Sequence, residues 1–217
     1  MLPHGPSHAF SARVPAKNPD LHGNVPEECS VALLLIDVIN DLEWEGSEVL
    51  VPQVVPMARR IAGLKRRAKA AGIPVIYVND NFGRWKSDFR RVVEHCLHDG
   101  VKGEELVRLL QPDDDDYFVL KPKHSAFYAT TLDILLTYLG AQTLIVTGIA
   151  GNICILFSAN DAYMRDYHLY VPADCTVSNT AKENGHALEQ MQRVLKADIT
   201  ESTKLDVRDL LGAVPVS

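Results

Sequence analysis

The chain has 217 residues, 47% of them hydrophobic, and a formal net charge of -6, with a pI near 5.7. That length reads as one large domain, long enough to bury most of the surface its unfolded chain would expose. No basic stripe is present to neutralise phosphates, so nucleic acid is not an expected partner. No apolar run reaches the roughly 20 residues that cross a bilayer, so no membrane is expected either. The first ten residues, MetLeuProHisGlyProSerHisAlaPhe, lack the apolar core of a secretory signal, which predicts a cytoplasmic protein. Cys29, Cys96, Cys154 and Cys175 show neither CxxC spacing nor a zinc-like pairing with histidine and read as free thiols.

Residues 1–28 are rich in Pro, His, Gly and Asn without a hydrophobic period, which predicts an extended arm ahead of a domain over 29–217. Residues 31–36 are an unbroken apolar run bounded by charge and too short for a helix. That is the pattern of a strand buried on both faces. Helical spacing follows over 52–71 and stops at Gly72; a second buried strand covers 73–79. A polar stretch with Phe82, Trp85 and Phe89 leads to helices around 87–97 and 103–110. The third strand is 117–121, with a helix over 129–139 behind it. The fourth is 143–147, followed by a helix over 152–166. A fifth strand occupies 168–172, an amphipathic helix 182–195, and a weakly marked sixth strand falls near 198–201. Strands alternating with helices predict an α/β fold: a mostly parallel sheet covered on both faces.

In such a sheet, ligands bind outside the carboxyl ends of the strands. Strand one delivers Asp37 there, strand two Asn79 and Asp80, strand three Lys121. Strand four delivers Thr147 and Gly148, then Cys154 after a turn over 149–152. An acid, a base and a soft nucleophile therefore share one rim, each from a different strand. Cys154 falls in the first turn of its helix, where free N–H groups and the helix dipole favour a thiolate; Lys121 would act the same way and Asp37 against it. The plain alternatives are a buried packing cysteine, an aspartate capping the next turn, and a surface lysine leaving the sheet. An unpaired carboxylate beside a buried strand is costly, so Asp37 has to be paired or functional.

The segments LeuIleAspValIleAsnAspLeu (35–42), LysProLysHisSerAlaPhe (121–127), ThrGlyIleAlaGlyAsnIleCys (147–154), SerAlaAsnAspAla (158–162) and AlaAspCysThrValSer (173–178) resemble the isochorismatase-like hydrolases. That family includes nicotinamidases and the N-carbamoylsarcosine, biuret and ureidoacrylate hydrolases. The resemblance runs in order from about residue 31 to 200. It implies a three-layer Rossmann-like sandwich with six strands and a catalytic triad of Asp37, Lys121 and Cys154. It further implies a cis peptide between Ile149 and Ala150, and an oxyanion hole formed by the backbone N–H groups of Ala150 and Cys154. Cys154 would attack a small amide, ureide or carbamoyl carbonyl and pass through a thioester, with Asp37 moving the proton. Relatives line the pocket just past the lysine motif, which offers Phe127 and Tyr128 as substrate-binding residues beside Phe82, Trp85 and Asn79. A homo-oligomer, dimer or tetramer, is expected, with the arm as a candidate for assembling it.

Two departures from the family pattern matter. Many relatives carry Gln and Phe where this chain has Ile39 and Leu42, which makes the pocket floor more aliphatic. Nicotinamidases bind a metal through an Asp and several His just after strand two, whereas Asp80 is followed by AsnPheGlyArgTrp (81–85) without histidine. No metal and no cofactor are therefore expected. His95 and His98 read as an exposed helical face, and Asp113–Asp116 as a solvated loop. Asp161 reads as structural, and Asp174 as orienting neighbouring loops. Vinyl-ether hydrolysis without need of Cys154, a non-catalytic scaffold and a redox role for Cys154 are the competing readings.

Overall fold

A computed structural model describes residues 28–81 and 88–212. Six strands form one sheet: β1 (Val31–Ile36), β2 (Val75–Asp80), β3 (Tyr117–Lys121), β4 (Thr143–Ile149), β5 (His168–Tyr170) and β6 (Thr176–Val177). The order is β3-β2-β1-β4-β5, with β6 also on β4. Every strand pairing is parallel. Central β1 is buried along its whole length, as its apolar run requires. The pleat sends alternate residues to opposite faces. Val31, Leu33 and Leu35 pack into one core with α1 (Val51–Ala70), α2 (Phe89–His98), α3 (Glu104–Leu109) and α7 (Val207–Gly212). Ala32, Leu34 and Ile36 pack into the other with α4 (Leu132–Leu139), α5 (Leu156–Tyr163) and α6 (Ala181–Val194). Each fully buried leucine of β1 stabilises the fold by roughly 1.5–3 kcal/mol. A helix–sheet–helix sandwich results.

The helices follow local chemistry. α1 has Pro52 in its first turn and buries Val54, Met57, Ala58, Ile61, Leu64 and Ala68, one stripe at helical spacing. α6 opens with a full capping box between Thr180 and Glu183. α4 ends on Gly140 in the left-handed region, φ +70°.

Several boundaries differ from the sequence expectations. The sixth strand is Thr176–Val177 rather than 198–201, where only a single bridge joins Tyr170 to Asp198. A short turn over Ala173–Cys175 lowers the chain from β5 onto the last two residues of β4, so β5 and β6 share that edge. β4 itself runs on to Ile149. The helix expected from 152 begins as a π turn, Gly151–Ile155, and becomes α-helical only at Leu156. The helix expected from 129 begins at Leu132, because the Thr130 hydroxyl closes the preceding loop onto Ala126 O at 2.6 Å. α7 was not expected. Among the described residues no helix is long and apolar enough to cross a membrane. The arm expected over 1–28 falls, except for Glu28, outside the described residues.

Candidate active site

The carboxyl ends of β1, β3 and β4 meet at one point. Asp37 follows the last residue of β1, and its backbone takes a left-handed φ of +53°. Its N–H still donates to Val78 O at 2.9 Å. The carboxylate, 5% exposed, lies 2.8 Å from Lys121 Nζ through Oδ2 and accepts the Asp80 N–H at 2.7 Å through Oδ1. Lys121 is paired in register with Asp80 across β2 and β3. Far from leaving the sheet for solvent, it is 0% exposed. Its ammonium also reaches Lys123 O at 3.2 Å, Cys154 Sγ at 3.6 Å and Asp80 Oδ2 at 3.8 Å.

Cys154 comes from the turn after β4. The Ile149–Ala150 peptide is cis. The Ile153 and Ile155 N–H groups both donate to Ala150 O, at 3.0 and 3.1 Å. Two glycines are needed here for space. Gly148 has φ +121° and lies so close to β1 that a Cβ would sit 2.0 Å from Ile36 O; one on Gly151 would sit 2.1 Å from Asn184 Oδ1. Asn152 N–H is held by Ser178 Oγ at 3.0 Å. Ser158 donates to Cys154 O at 2.6 Å and accepts the Ala126 N–H at 2.9 Å, tying the loop after β3 to the cysteine turn. All four cysteines are free, and Cys154 is half-buried while the other three are buried.

The electrostatics run against a resting thiolate. Burial, followed by the neighbouring Asp37 carboxylate, pushes the Cys154 thiol up to about 12, although Lys121 pulls the other way. Burial also raises the Asp37 carboxyl, with Lys121 opposing. For Lys121 burial favours the neutral amine, but Asp37 and Cys154 outweigh it and the group is raised, hence charged. Cys154 lies in the π turn ahead of α5 and not in the first turn of an α-helix, where the sequence placed it.

Other anticipated residues fare differently. Asn79 is 1% exposed, and its amide is spent on the Ile39 backbone, donating to Ile39 O at 2.6 Å and accepting Ile39 N–H at 3.2 Å. It holds the loop after β1. Phe127 is buried in the core, its ring 4.8 Å from the Arg165 guanidinium and 6.1 Å from the Tyr167 ring. Tyr128 is exposed. Phe82 and Trp85 lie outside the described residues. Ile39 and Leu42 are fully buried in the core on the α1 side. Asp161 accepts the Ser125 hydroxyl and pairs with Arg165, and Asp174 holds Ser202 through N–H and hydroxyl, at 2.7 and 2.8 Å. His95 bridges Asp99 and Asp41. Asp113, Asp115 and Asp116 are the only His/Cys/Asp/Glu group among the described residues close enough to share an ion. They are not merely solvated: Lys69 contacts all three and Lys65 contacts Asp113 and Asp116. One residue at the site escaped the sequence reading. His124 Nδ1 stands 4.0 Å from Cys154 Sγ.

The six-stranded parallel sheet, the cis peptide and the proximity of Asp37, Lys121 and Cys154 agree with what the motifs imply, and the chain belongs to the isochorismatase family: the isochorismatase domain matches residues 31–203. That is a family of hydrolases. The isochorismatase family protein YaaI of Bacillus subtilis is 42% identical over 174 residues, covering 80% of this chain and 95% of that one. The ureidoacrylate amidohydrolase RutB of Methylorubrum extorquens is 33% identical, covering 68% and 69%. Among solved structures, the N-carbamoylsarcosine amidase of Thermoplasma acidophilum superposes with a TM-score of 0.62 at 25% identity, covering 82% of this chain and 99% of that one.

Proposed function

We propose that this hydrolase cuts a C–N bond in a small amide, ureide or carbamoyl compound, with Cys154 as nucleophile and a thioester as intermediate. The observation that carries the reading is Lys121 Nζ, wholly buried, standing 2.8 Å from Asp37 and 3.6 Å from Cys154 Sγ. Substrate binding brings a carbonyl carbon to the sulfur. Asp37 takes the thiol proton as the S–C bond forms; a carboxyl raised by burial is a better-matched base for a thiol than an ordinary one. The backbone N–H groups of Ala150 and Cys154 receive the oxyanion, each such donor being worth roughly 3 kcal/mol in a preorganised site. The C–N bond breaks as Asp37 gives its proton to the leaving nitrogen, and the amine or ammonia departs. Asp37 next takes a proton from water, hydroxide adds to the thioester, and as the S–C bond breaks Asp37 returns that proton to the sulfur, releasing the acid and restoring the thiol. Lys121 keeps a positive charge beside whichever of Asp37 and Cys154 is ionised. Carbamoyl and ureido substrates of RutB and the Thermoplasma enzyme, as their names give them, support this substrate range.

The test is ammonia release from a panel of small amides and ureides, wild type beside Cys154→Ala. The wild type should hydrolyse at least one member and the variant none. Ammonia release persisting in Cys154→Ala while Asp37→Asn is dead would remove the cysteine as nucleophile and point to direct attack by water that Asp37 activates.

A further inference from the structure

His124, on the loop after β3, stands beside Cys154, and the proton transfers above do not use it. It is exposed, with Nδ1 4.0 Å from the sulfur, at the outer edge of hydrogen-bonding range, so it competes only weakly for the resting thiol. Its ring packs tilted against Phe157 with 5.6 Å between centroids, and Phe157, in the first turn of α5, is 53% exposed. The backbone on either side of His124 is pinned. Lys123 O accepts from Lys121 Nζ, the Ser125 hydroxyl donates to Asp161, and the Ala126 N–H donates to Ser158. The imidazole is thus a placed group and not a loose surface side chain.

An acyl carbon joined to Cys154 Sγ carries three substituents. In the proposed chemistry the oxygen faces the backbone donors and the leaving nitrogen faces Asp37, which returns its proton. The part of the acyl group that stays on the enzyme is the third, and His124, with Phe157 against it, is the group beside the sulfur that neither role uses. We propose that His124 determines specificity by accepting a hydrogen bond from the first atom of that retained group, the N–H of a ureide, while Phe157 covers its flat face. The assignment rests on the thioester reading. A plain amide offers a methylene at the same position and gives the imidazole nothing to accept. Because His124 is exposed, an unmet nitrogen turns to water, so the preference is about tenfold, the size of one ordinary hydrogen bond, and not the thousands of a sealed site.

N-carbamoylglycine and succinamate test this as a matched pair, since they differ by NH against CH2 beside the carbonyl. His124→Phe keeps a ring against Phe157 and removes the nitrogen; His124→Gln keeps a polar atom. His124→Phe should lower kcat/KM on N-carbamoylglycine by about tenfold, mainly through KM because the contact persists in ground and transition states. On succinamate it should change kcat/KM by less than about twofold. His124→Gln should recover part of the loss on N-carbamoylglycine only. An equal fall on both probes would make His124 a general support for the loop and overturn the assignment, as would no fall on either. A wild type active on other members of the panel but on neither probe would overturn it while leaving the thioester reading intact. Hydrolysis of N-carbamoylglycine that survives Cys154→Ala would remove both together.

Discussion

At Asp37 and Lys121 two opposite charges lie 2.8 Å apart and almost wholly buried. Removing one partner of such a pair strands the other charge and costs roughly 3–5 kcal/mol, whereas replacing both by apolar or neutral groups costs far less. Lys121→Met should therefore lower the melting temperature sharply, and Asp37→Asn added to it should recover most of the loss without restoring activity. A double variant as unstable as the sum of the singles would show that the pair is not coupled. The pH profile follows from the same residues. The proposed mechanism needs Asp37 ionised, and burial raises its carboxyl, so kcat/KM should rise with pH through a limb displaced above the ordinary carboxylate value of about 4. With Cys154 pushed up to about 12 and Lys121 raised, no alkaline fall should follow below about pH 9. The stability sign is opposite. A raised carboxyl favours the fold when protonated, so Asp37's contribution is present below its unfolded value and fades as pH rises through the folded one. An acid limb at or below about 4 would show that burial does not govern Asp37. Cys154 is also the accessible thiol of the four. Substoichiometric iodoacetamide should label it before Cys29, Cys96 or Cys175, faster as pH rises, and abolish hydrolysis; prior labelling of another cysteine with activity intact would remove it as nucleophile.

Gly151 shows how an element edge sets the site. A Cβ there meets Asn184 Oδ1 at 2.1 Å and Ser178 Oγ at 3.0 Å. Both belong to the network that holds the turn, since Ser178 donates to Asn184 and accepts from Asn152 N–H. Gly151→Ala should lower both turnover and melting temperature. Because the nearest clash is with a side chain, Asn184→Ala should make room for it, and a double-mutant cycle should give coupling of about 1–2 kcal/mol. Additive effects would place the damage in the backbone. The elements were legible where periodicity was long or burial complete: six consecutive apolar residues announced β1, and the spaced stripe of α1 announced a helix. Two-residue β6 carries no period at all, and a five-residue π turn is indistinguishable in sequence from the α-helix it precedes. α7 had one signal, Asp206 accepting Arg208 N–H as a cap at 2.9 Å, too local to outweigh a short chain end.

At the scale of the whole molecule, parallel topology gathers Asp37, Lys121 and Cys154, because each follows a strand whose carboxyl end opens on the same rim. That rule put the three on one rim in the sequence, and the resemblance to the family is what marked them as a set. The rule does not say which way a side chain turns: Asn79 sits at the end of β2, yet its amide is bonded to the Ile39 backbone. His124 had no signal beyond its loop. The same layout bears on metal. A cation beside the triad would draw on Asp80, yet that carboxylate already lies 3.8 Å from the Lys121 ammonium, and the segment from Asn81 to Ser87 contains no histidine. The acidic group before β3 is the other candidate, and there the ammonium groups of Lys65 and Lys69 occupy the place of an ion. Lys69 is raised: its burial works the other way, but hydrogen bonds to Asp113, Asp115 and Asp116 overcome it. Asp113 and Asp115 are lowered, chiefly by Lys69. Hard cations prefer several free oxygen ligands and zinc prefers nitrogen or sulfur; neither place offers such a set. Hydrolysis should therefore survive exhaustive chelation, and metal analysis of the active protein should find no stoichiometric zinc, iron or manganese. An enzyme silenced by chelator and restored by one metal would reassign Asp80 as a ligand and require a different account of how the carbonyl is polarised.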